Sequence, residues 1–417
     1  MKRILLLVVC LAACLHLHAQ LTLDECRRAA RANYPLVRQY RLIEQSEAYT
    51  LSNAGRGNLP QVSLSGKVSY QSDATKLPFT LPDVDFHGLP KDQYQVMVEI
   101  QQNIWDGGVI RNRKQYTKSE AEETVRRLDV SMYALDSRVD QIFFGILLLD
   151  EQLRQNAIFH DDLERNLHRV SACLDNGIAH EADVDAVQVE ILNNGQQRIA
   201  LETSRVAYVR MLALLMGREL EPDVAFERPE LPHREEAFAI RRPELLLYEA
   251  QERTLDVRRQ GLRSGYLPRF SLFAQGAYGN PGLNLLKDKF GAYYVVGARM
   301  SWNFGSLYTL KNDRHKLELE RQRIDSERNL FLLDTHLQLA GQEGTISALR
   351  RQMEKDEEII RLRANISRSA EVKVAEGTLS VTEMLRELTA ENLARQTKVQ
   401  HEVQLLLEVY KQKHLTN

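Results

Sequence analysis

Proline is absent from two long stretches of the sequence, residues 91–221 and 282–417, although the chain of 417 residues contains 11 prolines. A proline inside a helix removes a backbone hydrogen bond and clashes with the preceding turn, so it kinks or breaks the helix. Both stretches are rich in Leu, Glu, Arg, Gln and Ala, which favour helix. The sequence therefore predicts helices that are much longer than a globular domain can contain.

Glycines divide each proline-free stretch into two helices. Gly177 and Gly377 are the expected turns, because glycine readily adopts the backbone conformation that ends a helix. The predicted helices cover residues 108–176, 178–216, 306–376 and 379–413. At 1.5 Å per residue, the longest would reach on the order of 100 Å. Their apolar residues recur at intervals of three and four, which favours coiled-coil-like packing.

Four other segments alternate between apolar and polar residues, which is the pattern of a β-strand. In the first of them, Val62, Leu64 and Val68 alternate with serine, glutamine and lysine. The predicted strands cover about 61–71, 93–104, 268–278 and 292–302. This length suits either a half-buried strand of a soluble sheet or a tilted transmembrane strand. Lipid does not tolerate unpaired strand edges, so a membrane barrel would have to be shared among chains.

The helices and strands belong to an internal duplication. Residues 35–70 align without a gap to residues 243–278, with nine identical positions that include two prolines in each segment. Each half therefore contains a helix, two strands, a long helix, a turn and a further helix. The halves are assigned to residues 20–217 and 234–417, joined by a proline-containing linker over 218–233.

The first 19 residues have the pattern of an export signal. Lys2 and Arg3 precede an apolar run over 4–15 that is too short to span a bilayer but suits the core of a signal peptide. We expect cleavage after Ala19, which assigns residues 1–19 to the signal. Lipidation of Cys14, at the end of a lipobox-like Leu-Ala-Ala-Cys, is the alternative. The later cysteines are predicted to be free thiols and not a disulfide framework.

Charge and motifs exclude several classes of function. Basic and acidic residues number 55 and 57, a net charge of −2, so no field of one sign draws the chain to nucleic acid. The sequence has no phosphate-binding loop, no cysteine pair with metal-ligand spacing and no candidate nucleophile with a base. We interpret His160, His168 and His180 as surface residues of long helices. The chain is predicted to use no cofactor and no metal, and not to be an enzyme.

In their order along the chain, these features resemble the TolC-like outer membrane factor family. The resemblance rests on the export signal, the duplicated halves, a Leu-Pro pair before the first strand of each half, the segment Trp105-Asp106-Gly107-Gly108, and a glycine turn followed by an acid six residues later. It implies a mainly helical α+β fold. In that fold three chains build a 12-stranded outer-membrane β-barrel that is continuous with a periplasmic α-helical barrel.

The resemblance implies a passive exit duct in the outer membrane, part of a tripartite efflux or type I secretion system. Small molecules or proteins would reach it from an inner-membrane transporter of the RND or ABC type. The expected partners are two further copies of the chain in a homotrimer, a periplasmic adaptor protein, that transporter and outer-membrane lipid. The alternative is an exported coiled-coil protein without a channel, such as an envelope spacer or adhesin stalk.

The resemblance also assigns roles to residues beside the glycine turns. Asp183 matches a family acid that pairs with a basic residue on the other helix pair, but Leu379 occupies that basic position here. Glu383 matches the first position of an acidic constriction, whose second position is Arg386. This departure suggests ion pairs between Glu383 and Arg386 instead of a double carboxylate ring, and solvated helix-face charges are the alternative. The residues expected to dock the adaptor are Asn176, Gly177, Ile178, Glu376, Gly377, Thr378 and Leu379.

Overall fold

A computed structural model describes residues 20–73, 90–231, 239–284 and 289–416. The predicted signal peptide over 1–19, with Cys14, lies outside these residues, as does most of the loop between the first two strands. The elements in chain order are α1 (Leu23–Asn33), α2 (Val37–Arg56), β1 (Gln61–Tyr70), β2 (Asp92–Trp105), α3 (Val109–Asp175), α4 (Glu181–Met216), α5 (Pro243–Gly265), β3 (Arg269–Asn280), β4 (Gly291–Ser301), α6 (Ser306–Ala375) and α7 (Val381–Thr416).

The predicted fold class, mainly helical with a small sheet in duplicated halves, is confirmed. Both long helices run without interruption, α3 for 67 residues and α6 for 70. The structure starts α4 and α7 later than the sequence suggested, at residues 181 and 381. The reason is local: the residues after each glycine satisfy the carbonyls of the preceding helix and only then enter a new one.

The chain forms two compact units that do not coincide with the two halves of the sequence. We call residues 20–39, 128–245 and 329–416 the helical unit, and residues 40–127 and 246–328 the sheet unit. Each unit takes segments from both halves. This division follows from the duplication, because equivalent segments of the two halves pack against each other within each unit.

The sheet unit contains one antiparallel sheet with strand order β1-β2-β3-β4. The register pairs Val62 with Ile100, Leu64 with Val98 and Val68 with Tyr94, so residues of the apolar set share one face. That face is exposed: Val62, Leu64 and Val68 are 68%, 73% and 76% accessible. The two outer strands, β1 and β4, each have a further edge that pairs with no strand in the described part of the chain.

Both hairpins of the sheet point the same way. Gln61 at the start of β1 pairs with Gln101 near the end of β2, and Arg269 at the start of β3 pairs with Ser301 at the end of β4. All four connections to helices therefore leave from one end of the sheet, which we call the helix end. The opposite end carries the hairpin loops.

The core of the helical unit includes aromatic side chains of α3. Phe143 and Phe144 are 0% and 1% exposed, and Phe143 packs edge-on against Phe226 with 5.5 Å between ring centroids. Gly145 follows them because a Cβ at that position would lie 2.4 Å from the ring of Tyr208 on α4. The single glycine in this part of the long helix thus lets two helices approach closely.

A buried polar pair fixes the register of the α3–α4 hairpin. Asn156 Nδ2 donates to Asn194 Oδ1 at 2.6 Å, and Asn194 Nδ2 donates to the carbonyl of Asn156 at 3.3 Å. Both residues are buried, at 1% and 4% exposure. Sliding the helices past each other would leave these amides without partners in an apolar seam, which is costly.

Cys26 and Cys173 are both free thiols. Burial raises the pKa of Cys26 to about 11, so this thiol is protonated at neutral pH and unreactive. Among the described residues, no helix combines the length and the apolar composition that crossing a membrane requires.

Candidate functional site

The two glycine turns have the same construction. Gly177 and Gly377 have φ of +72° and +73°, a left-handed conformation that other residues adopt only at a cost. In the first turn, the N–H of Gly177 donates to Leu174 and that of Ile178 donates to Cys173. In the second, Gly377 and Thr378 donate to Val374 and Lys373 in the same pattern. Each long helix therefore ends in a Schellman motif.

The acids that follow the glycines cap the returning helices. Glu383 Oε2 accepts hydrogen bonds from the Ser380 hydroxyl at 3.1 Å and the Ser380 N–H at 3.4 Å, while the Ser380 hydroxyl accepts from the Glu383 N–H. This arrangement is a capping box. Asp183 Oδ2 accepts from the His180 N–H at 2.9 Å in the equivalent place. Both acids stand three residues beyond the N-cap, where the helix dipole favours negative charge.

An apolar cluster holds the two helical hairpins together next to the turns. It contains buried side chains from all four helices, among them Leu163 of α3, Val187 of α4, Val374 of α6 and Met384 of α7. Leu379, at the position that the resemblance matches to a basic residue, packs against this cluster. A methyl group at Gly377 would lie 3.6 Å from Ile178 Cγ2, so the two turns are also neighbours.

An ion pair joins the two hairpins about two turns back from the glycines. Arg169 of α3 donates to Glu371 of α6 at 2.5 Å, and Asn166 Nδ2 contacts the other oxygen of the same carboxylate at 3.4 Å. Sequence reasoning missed this pair because 202 positions separate its members, and no local spacing connects them. The structure thus gives Leu379 an apolar contact and places an ion pair deeper in the hairpins.

Arg386 and Glu383 do not contact each other within the chain. The Arg386 guanidinium lies 3.3 Å from Glu387, whose other oxygen lies 3.1 Å from Arg363 of α6. Arg386 is 73% exposed, and the Glu383 carboxylate faces its own cap. The ring of Glu383 and Arg386 across three chains stays a prediction.

The residues proposed to dock an adaptor form the exposed surface of the two turns. Asn176, Gly177, Ile178, Glu376, Gly377 and Thr378 are exposed, and Leu379 is half-buried. Ile178 is 51% exposed, which leaves an apolar side chain at the end of the hairpins. We call this surface the tip.

The polar face of the sheet carries its own network. Glu99 on β2 accepts a hydrogen bond from Gln275 on β3 at 3.1 Å and lies 3.4 Å from Arg299 on β4. The Arg299 guanidinium also stacks over Phe273 at 4.9 Å from the ring centroid. One face of the sheet is therefore polar and cross-linked by charge, while the other is apolar.

No group of three or more potential metal ligands occurs in the described part of the chain. His160 lies 3.9 Å from Glu164 one turn away on the same helix, and His180 precedes the first residue of α4 at the tip. The histidines noted from the sequence are not brought together.

The fold is shared with solved structures of outer membrane channels over nearly its whole length. VceC from Vibrio cholerae covers 95% of this chain and 96% of its own, with a TM-score of 0.68 and 14% identity. The structure of CusC, from work on its folding and transmembrane channel formation, gives a TM-score of 0.72 at 14% identity over 96% of this chain and 93% of its own. The open state of MtrE from Neisseria gonorrhoeae gives 0.65 at 14% identity over 95% and 89%.

The chain therefore has the fold of these outer membrane channels. Residues 27–218 match the model of the outer membrane efflux protein family. This match and the shared fold support the predicted location in the outer membrane, with periplasmic helices, and the prediction of a channel component that is not an enzyme. No curated protein matches the sequence.

Proposed function

We propose that three copies of this chain form the exit duct of a tripartite export system. The observation that carries the proposal is the four-stranded sheet, which exposes an apolar face and leaves two edges unpaired within the described residues. An apolar face fits lipid, whereas unpaired edges do not. Pairing β1 of one copy with β4 of the next would satisfy both of these edges.

Three copies is the number that the resemblance to TolC-like proteins implies, and it suits the width that a conduit needs. Four strands cannot close a barrel, and the interior of an eight-stranded barrel is filled by side chains or holds one small ligand. Three copies give twelve strands and enough circumference for a passage. The polar face with Glu99 and Arg299 would then line that passage.

The helical unit also offers surfaces for neighbouring copies. On α6, Leu330, Leu333 and Leu337 are 58%, 55% and 62% exposed at spacings of three and four residues. On α4, Leu192 and Ile199 are 69% and 65% exposed and seven residues apart. Such spacing is typical of helix faces that pack on another helix.

The tip would receive the export partners. Its exposed turns, with Ile178 as the apolar centre, fit a periplasmic adaptor protein, which would connect the duct to an inner-membrane transporter of the RND or ABC type. Glu383 and Arg386 lie about one and two turns beyond Leu379 and would line the entrance. The cargo, a small molecule or a protein, is set by the transporter, because the duct has mixed polar walls that select little.

Disulfide crosslinking between copies tests the proposal. In a Cys26→Ser, Cys173→Ser background, cysteines replace Ser65 in the middle of β1 and Val295 in the middle of β4, with Tyr293 and Gly297 as alternatives that scan the register. Oxidation should yield covalent species up to a closed trimer in detergent. The control pairs Ser65→Cys with Gln275→Cys on β3, a central strand that no neighbouring β1 can reach, and should stay monomeric.

Planar bilayer recording separates the duct from the alternative of an envelope spacer. The purified protein should conduct in stable steps, and cysteine crosslinks across the tip should reduce the current. A monodisperse monomer that needs no detergent, with no crosslink at any β4 position, would refute the proposal in favour of the spacer.

A further inference from the structure

Positive charge is concentrated where the helices meet the sheet. The twelve residues on the helix side of each strand, 49–60, 106–117, 257–268 and 302–313, contain eight basic and two acidic residues. The twelve residues farther from the sheet in each segment, 37–48, 118–129, 245–256 and 314–325, contain ten basic and twelve acidic residues in total. We call the eight the junction cations: Arg56, Arg111, Arg113, Lys114, Arg258, Arg259, Arg263 and Lys311.

The junction cations are available for a partner. Seven are exposed and Lys114 is half-buried. Arg258 is the one that pairs with a carboxylate among the described residues, Glu320 at 2.6 Å. Of the two nearby acids, Asp106 is already engaged, since its oxygens accept from the N–H groups of Gly108 and Ile110 at 2.8 and 2.7 Å.

Part of this charge lines a groove of about 620 Å³ between the end of α2 and the start of α3. Its wall contains the junction cations Arg111 and Lys114 and, one turn farther along α3, Lys118, while Leu51 and Ile110 supply apolar surface. No ion pair is formed by these three cations within the part of the chain that the structure describes. The groove therefore combines unpaired positive charge with an apolar surface.

Exposed aromatic side chains lie at the end of the sheet that is next to this groove. At the helix end, Trp105, Phe270 and Trp302 are 43%, 41% and 48% exposed, and Phe304 and Tyr308 follow at the start of α6. Aromatic rings prefer the boundary between hydrocarbon and headgroups. Cations a few residues farther along then stand at the depth of lipid phosphates.

We propose that this groove binds the headgroup of an anionic phospholipid in the membrane leaflet on the helix side, and that the junction cations extend the contact around the sheet. The proposal rests on the proposed membrane insertion of the sheet. Lys114 and Lys118 would hold the phosphate, Arg111 would bridge phosphate and ester oxygens, and the acyl chains would run along the apolar sheet face. The preference would be for phosphatidylglycerol over phosphatidylcholine, which carries no net charge.

Native mass spectrometry of the full chain in detergent, titrated with phosphatidylglycerol or phosphatidylcholine, tests this assignment. Each cation near a lipid surface changes partitioning by about fivefold. The triple variant Arg111→Gln, Lys114→Gln, Lys118→Gln should therefore bind phosphatidylglycerol about a hundredfold more weakly if the three contributions are independent. The charge-preserving variant Lys114→Arg, Lys118→Arg should retain it.

A matched control removes three exposed cations from the middle of α6, Arg350→Gln, Arg351→Gln and Lys355→Gln, and should bind lipid like the parent. Equal phosphatidylglycerol binding by the groove and α6 variants would overturn the proposal. So would a groove variant that keeps its lipid but no longer self-associates, because the groove would then be an interface between copies.

Channel formation in bilayers is measured separately. A parent protein that never inserts would refute the proposed function, whereas a parent protein that conducts but has no lipid preference would refute only this inference.

Discussion

Arg27 on α1 makes two parallel hydrogen bonds to Asp140 on α3, from Nε to Oδ1 at 2.7 Å and from Nη2 to Oδ2 at 2.6 Å. The Asp140 side chain is 4% exposed. Burial raises the pKa of the Asp140 carboxyl more than the Arg27 guanidinium lowers it. The pair therefore tethers α1 to the long helix at an electrostatic cost, and neither member tolerates the loss of the other.

A double-mutant cycle on this pair should show strong coupling. Asp140→Leu alone should destabilise the protein by about 2 kcal/mol, because it leaves a half-buried guanidinium with only the more distant carboxylate of Asp24, at 3.6 Å. Arg27→Met combined with Asp140→Leu should recover most of that loss. Thermal unfolding of the four proteins in detergent, followed by circular dichroism, measures the coupling. Additive effects of the two changes would show that the ion pair contributes little.

The stability of the helical unit should fall in mild acid because of His414. Its ring stacks on Tyr133 with 4.0 Å between centroids, and burial, with a smaller contribution from Arg242, lowers the pKa of His414 to about 4 from 6.5. A histidine with a lowered pKa binds its proton more weakly when folded. Stability is therefore complete above about pH 6.5 and declines as the pH falls towards 4.

The size of that decline is about 2 kcal/mol after a discount for the part of the ring that water reaches. His414→Gln should be less stable at neutral pH but should lose less between pH 6.5 and 4. Urea unfolding at a series of pH values provides the comparison. His168→Gln, far from Tyr133 on the exposed part of α3, serves as the control. An unchanged slope in His414→Gln would assign the acid sensitivity to other groups.

Two substitutions of Glu383 separate capping from a role in conduction. Glutamine can replace glutamate in a capping box, so Glu383→Gln should keep the stability of the tip but remove its charge. Glu383→Ala should lose both, at a cost of about 1 kcal/mol. If Glu383 lines the entrance, both variants should alter conductance or cation block in bilayers. Recordings like those of the parent for Glu383→Gln would leave capping as its role.

The glycine turns should be sensitive to a single methyl group. Gly177→Ala should destabilise the protein by about 1 kcal/mol, because alanine at φ of +72° is strained even though no atom lies within 4 Å. Gly195→Ala is the matched control within α4, where the same open surroundings and a helical backbone should make alanine neutral or stabilising. Melting temperatures of the two variants should therefore shift in opposite directions.

Much of the tip could be read from the sequence because its determinants are local. Glycine at the end of a long helix, followed by Ser380 and by Glu383 three residues later, is the spacing of a capping box, and this signal would have assigned Glu383 its hydrogen-bond partner. The equivalent position of Asp183 followed from the duplication. Proline placement and two-residue alternation likewise located the long helices and the strands.

Contacts between distant segments depended on the tertiary structure. Arg27 and Arg31 are four residues apart, as are Asp136 and Asp140, yet only the packing of α1 on α3 shows that they pair. The same holds for Arg169 with Glu371, and for the two compact units, each built from both halves of the chain. Periodicity and capping depend on neighbours within a turn, so the sequence alone determined the elements. Which faces meet is decided by the whole arrangement of helices and strands. That arrangement gave side chains that look alike in the sequence a salt bridge, an apolar contact or a place in the wall of a groove.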